Sequence, residues 1–96
     1  MAFKKYETSG ITTETQVLTN PTPNEIVVIG LSVATTSSSP ATVSIKLNTT
    51  YIVKDAPIPV GGSLVVDPKI VLYLNTDAIT VSSDTTVDVV VSTMEL

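Results

Sequence analysis

Apolar and polar residues alternate with a period of two through much of the chain, and that period predicts strands. Residues 41–47 show it most cleanly: Val43, Ile45 and Leu47 fall on one face, and Thr42, Ser44 and Lys46 on the other. Residues 78–83 repeat the pattern, with Ile79 and Val81 expected inward. Residues 86–94 follow, with Val87, Val89 and Val91 set against Asp88, Val90 and Ser92. No window of 11 residues carries the i, i+3, i+4, i+7 spacing of an amphipathic helix, so little or no helix is expected.

Residues 25–34 are the strongest strand and the least alternating. Val27, Ile29, Leu31 and Val33 are read on one face; Ile26, Val28, Gly30, Ser32 and Ala34 are read on the other. A first half that is apolar on both faces suits a central strand or one covered by another chain. Shorter strands are expected over residues 15–18 and 51–56, the latter returning from 41–47 through Asn48-Thr49-Thr50. Residues 64–66 and 70–74 are read as a second hairpin about Asp67-Pro68-Lys69. Residues 1–13 hold few apolar anchors and read as an extended N-terminal arm or a first edge strand. Pro and Asn at 20–24, Ser at 37–39 and Asn75-Thr76-Asp77 mark turns or loops. Pro57-Ile58-Pro59-Val60-Gly61-Gly62 withholds two backbone donors and invites positive φ, so it is expected to be a corner carrying the chain between sheets. Seven to eight short strands with turns about every ten residues predict one all-β domain. The expected form is an antiparallel β-sandwich, immunoglobulin-like or jelly-roll-like.

Composition narrows the function classes. The 96 residues contain no His, Cys or Trp. The commonest general base, the commonest nitrogen metal ligand and all thiol chemistry are therefore missing. Five Lys and no Arg against nine acids give a net charge of −4, which argues against nucleic acid as a partner. No run approaches the roughly 20 apolar residues of a membrane helix, and no apolar segment follows Lys4-Lys5, so no membrane partner and no secretory signal are expected. Only 15% of residues are charged, while mean hydropathy is positive. A small protein with so few charges either coats itself with Thr and Ser or shares apolar surface with neighbours.

Candidate chemistry is sparse. The serines have no His to activate them, Gly61-Gly62-Ser63 lacks the Lys and helix of a phosphate loop, and the aspartates sit at turns and strand ends. Asp77 with Asn75, or Asp84 with Asp88, are the acid pairs that could meet at a cation, although the spacing of a calcium loop is absent. A glycan site would draw on Phe3, Tyr6, Tyr51 and Tyr73. We therefore expect no enzyme, no cofactor and no metal. The surplus of apolar strand surface points to a homo-oligomer, a trimer among the options, or a subunit on a larger assembly. Phe3, Tyr6, Ile58, Val60 and Val90 are the candidate interface residues.

From Tyr51 onward the order of elements is familiar. A proline–glycine corner at residues 57–62 is followed by the Lys–apolar stretch Lys69-Ile70-Val71-Leu72. Asp77 then precedes the alternating strand Ala78-Ile79-Thr80-Val81, and Val87-Asp88-Val89-Val90-Val91 closes the series. This half of the chain resembles small structural proteins of tailed-bacteriophage virions. Those proteins more often carry Gly before that Asp, where this chain has Thr76. The resemblance implies a non-enzymatic β-sandwich present in many copies, assembled in the host cytoplasm and residing in the virion. The expected role is a capsid decoration (cement) subunit contacting itself and the major capsid protein. A neck or tail component, or a receptor- or glycan-binding sandwich, is the alternative.

Overall fold

The computed structural model describes residues 2–20, 24–73 and 76–96. Among these residues are nine strands and no helix: β1 (Ala2–Ile11), β2 (Thr15–Thr19), β3 (Ile26–Thr35), β4 (Ala41–Leu47), β5 (Thr50–Ile58), β6 (Ser63–Val66), β7 (Ile70–Leu72), β8 (Ala78–Ser83) and β9 (Val87–Glu95). They form two packed antiparallel sheets. One has the order β1-β9-β3-β6, with β7 also on β3; the other has the order β2-β8-β4-β5.

This order has a simple origin. β4 pairs with β5 across the turn at Asn48 and Thr49, β3 with β6 and β7, β2 with β8, and β1 with β9. The chain is thus one long hairpin, folded at its middle and rolled so that β9 also meets β3 and β8 also meets β4. Counting β6 and β7 as one interrupted strand, these are the eight strands of a jelly roll. At the closing turn, Asn48 takes φ 56°, the left-handed conformation that Gly usually supplies and Asn tolerates. Leu47 faces Thr50, so this connection has two residues rather than the three read from sequence.

Three elements depart from the sequence expectation. β3 is bulged: Val28 faces Thr93 and Gly30 faces Ser92, leaving Ile29 as the extra residue. The inward face is therefore Ile26 and Val28 before the bulge but Leu31 and Val33 after it, and these four are buried. The expected grouping of Val27 and Ile29 with Leu31 and Val33 assumed an unbroken strand.

β6 and β7 do not form a hairpin with each other. Both run along β3, β6 beside Leu31 to Ala34 and β7 beside Val28 to Ile26. Pro68 has no N–H and Lys69 takes φ 49°, which kinks the edge without reversing it. β7 ends at Leu72, so Tyr73 falls outside the strand expected over 70–74, while Leu74 and the turn residue Asn75 lie outside the described residues.

Finally, β5 continues through Pro57 to Ile58, opposite Thr42 and Ala41. Proline is tolerated because β5 is an edge strand. The corner proper is Pro59 to Gly62, where Gly61 takes φ 77° and the Gly62 N–H donates to the Pro59 carbonyl at 2.9 Å. It carries the chain between sheets, as expected.

The core lies between the sheets. Ile26, Val28, Leu31, Val33, Val87, Val89 and Val91 come from one side, and Val43, Ile45, Ile79 and Val81 from the other. Residues 2–11 are a full strand rather than a loose arm: Ala2 to Thr8 pair in unbroken register with Glu95 to Val89. Lys4 fastens this end through an ion pair to Glu95 at 2.9 Å, whose hydrogen bond and charge hold the ammonium above its usual pKa.

Candidate assembly surface

The outward faces of the two sheets differ sharply. On β4 and β8 of the four-stranded sheet the outward positions are hydroxyl or charged: Thr42, Ser44 beside Ser82, and Lys46 beside Thr80. Lys46 reaches Glu14 at 3.1 Å and stands 5.4 Å from the Tyr51 ring centre; Lys54 stands 5.2 Å from the same ring. The Tyr51 ring is thus engaged by two ammonium groups.

On the five-stranded sheet the outward positions are mixed: one row is apolar, another holds two exposed valines, and Lys5, Ser92 and Gly30 lie between them. Pairing sets Phe3 beside Met94, Met94 beside Val27, and Val27 beside Val71, one row across four strands. A second row runs Glu7, Val90, Ser32, Val65. Phe3 is 72% exposed, Val65 74%, and Val71 and Val90 40% each. The bulge produces this arrangement. It lets β3 keep Ile26, Val28, Leu31 and Val33 in the core while Val27 turns outward to join the row.

Of the interface candidates read from sequence, Phe3 and Val90 lie together on this face. Val60 is exposed in the corner after β5. Tyr6 is half-buried and packs against the core at the open side of β1, above a shallow depression lined by Gln16, Val17, Leu18 and Thr19. Ile58 is 1% exposed, a core residue and not a surface one, because β5 extends past Pro57 and turns it inward. Val65 and Val71 were missed: a hairpin reading of 64–74 gave no reason to place them beside β3. Leu64-Val65-Val66 and Ile70-Val71-Leu72 are apolar throughout, so the sequence pattern carried no signal of which side faces out.

The acids act as backbone clamps. Asp84 Oδ1 accepts from the Thr42 N–H at 2.8 Å, and Asp88 Oδ1 accepts from the Gly10 N–H at 2.9 Å. Asp77 accepts from the Tyr73 N–H at 3.0 Å and from the Asn48 side-chain amide at 2.9 Å. Asn48 in turn accepts from the Ala78 N–H at 3.0 Å, which ties the central turn to the start of β8. Among the described residues no three acids gather where a metal could bind. The pair of Asp77 with Asn75 lies partly outside the described residues. Among the described residues no helix is long and apolar enough to cross a membrane.

The Tyr73 N–H, then the Asn48 amide, hold the Asp77 carboxyl below its usual pKa. A lowered folded-state pKa gives stability that is fully present above the unfolded value near 3.9 and is lost as pH falls through the folded value. In Asp77→Asn this contribution is absent at every pH. The difference in melting temperature between wild type and variant is therefore expected to be largest near pH 6 and to shrink towards pH 2. Melting curves across that range check it, and a constant difference would contradict it.

No family model and no curated protein matches the chain.

Proposed function

We propose that the chain is a non-enzymatic structural subunit that works by assembly, and that its setting is the virion of a tailed bacteriophage. The observation that carries the reading is the apolar row Phe3, Met94, Val27 and Val71 across the outer face of the five-stranded sheet, with exposed Val90 and Val65 on the same face beyond the Lys5, Ser92, Gly30 row. A monomer holding such a face in water gains by covering it. The virion setting rests on the resemblance of the C-terminal half, and the jelly-roll order adds a fold-level analogy, since viral capsid domains often use it. Decoration of the head is the favoured position: a modest contact repeated over many symmetric sites holds a shell firmly through multivalency.

Co-sedimentation with heads and with tails assembled from the genes neighbouring its own tests the reading. Binding to heads is expected, and Val65→Lys with Phe3→Lys weakens it at least tenfold while leaving the melting temperature within a few degrees, because both side chains are exposed. Binding to tails alone would move the subunit to the neck or tail. Binding to neither would overturn the virion setting.

A further inference from the structure

We infer that two copies of this chain join edge to edge through β1, antiparallel about a two-fold axis passing at Tyr6, so that Lys5 of each copy faces Glu7 of the other.

The argument begins with the free edges. β2 has five residues and a register shift, β6 and β7 have four and three, and β5 carries Pro57 and the positive φ of Asp55. Such short, bulged or proline-bearing edges resist pairing with another chain. β1 is different. It has no proline, and residues 2–8 hold unbroken register with β9 before the bulge at Gly10. Among the described residues it is the one long, regular edge, and its second row of backbone groups faces outward.

Parity and charge then select the register. Alternate residues of a strand direct their N–H and C=O to the same side. Two copies of one edge can therefore pair only if the axis passes through a residue, which opposes itself. An axis at Lys4 or Lys5 sets a lysine against itself, and an axis at Glu7 sets the glutamate against itself; directly opposed like charges destabilise. An axis at Thr8 shortens the overlap and leaves Lys5 facing Ile11, beyond the bulge. An axis at Tyr6 sets Lys5 against Glu7 twice, Lys4 against Thr8, and Phe3 against Ser9. Within one chain Lys5 and Glu7 already lie on the same outer face, 3.2 Å apart at their charged ends and exposed. Bringing in the second pair makes four charges that alternate in sign around the axis. The two five-stranded sheets become one continuous sheet, and the apolar rows of both copies lie on its same face. The inference deepens the assembly reading by naming how copies meet, and it depends on that reading only in taking the chain to act through contacts.

Sedimentation equilibrium in dilute buffer, without any virion component, tests it. The wild type is expected to dimerise. Lys5→Glu places two glutamates opposite each other and Glu7→Lys two lysines, and each raises the dimer dissociation constant at least tenfold. The double variant Lys5→Glu with Glu7→Lys restores wild-type affinity, as does mixing the two single variants into a heterodimer. Both side chains are exposed, so melting curves of all variants should match the wild type; a variant that melts early is replaced by Lys5→Gln or Glu7→Gln, which weaken the dimer less. A monomeric wild type at millimolar concentration overturns edge pairing. A dimer indifferent to the single changes, or unrestored by the double, overturns the register. A dimer that binds neither phage heads nor tails leaves this inference standing and removes the virion setting, whereas a monomer that binds heads does the reverse.

Discussion

Replacing Ile45 by Ala is expected to lower the unfolding free energy by about 2–5 kcal/mol. Ile45 is fully buried at the middle of β4, between Val53 on β5 and Val81 on β8. Truncation removes three carbon atoms from a face packed against the opposing sheet, and strands held on both sides close the cavity poorly. A chain of this size has a total stability of about 5–14 kcal/mol, so the loss is a large share of the whole. For such a domain each kcal/mol shifts the melting temperature by roughly 4–8 °C, and a fall of at least about 8 °C is expected. Val65→Ala is the control. Its side chain is mostly in water and its loss changes stability by no more than about 0.5 kcal/mol. Urea denaturation of the two variants separates them, and equal effects would contradict the division between inner and outer faces.

The second large effect is a contrast between two single-residue deletions in β3. Removing Ile29 takes out the extra residue of the bulge. Val28 and Gly30 become neighbours, regular alternation resumes, and Ile26, Val28, Leu31 and Val33 all remain inward. The expected cost is within about 2 kcal/mol. Removing Ser32, three positions on, cannot be absorbed so simply. If the bulge persists, Val33 turns out to solvent; if it straightens, Gly30 enters the core where Leu31 was. Either way a large buried side chain leaves the interior, at about 2–5 kcal/mol. Equal destabilisation by the two deletions would show that Ile29 is not the surplus residue.

What the chain discloses before its structure follows from which forces act locally. Residues 41–47 and 78–83 were read with the bounds they adopt as β4 and β8, since one face is apolar, the other polar, and turn residues flank both. β9 was legible for the same reason. β3 was legible as a strand but not in phase: Ile26, Val27, Val28 and Ile29 are all apolar, so the pattern carries no record of which side is in. Gly30, the isolated glycine inside the run, was the one local mark of a bulge. The fate of β6 and β7 was hidden because Asp67-Pro68-Lys69 suits a turn or a kink equally, and only the neighbouring strand β3 decides between them. The apolar outer face was half visible. Phe3 and Val90 were named as interface candidates, but a row across four strands exists only once strands distant in sequence are paired, as Phe3 is with Met94. Ile58 was misjudged because a proline on each side suggested the corner had already begun.

The mirrored pairing of first strand with last also shapes how the molecule is born. As the ribosome releases the chain, β1 emerges ahead of every other strand, while its in-sheet partner β9 follows all of them. β4 and β5 can zip early, but β1 waits through the synthesis of the rest, and long-range closure of this kind is slow. Lys4, Lys5 and Glu7 leave that waiting segment rich in charge, which favours hydration over collapse until β9 arrives.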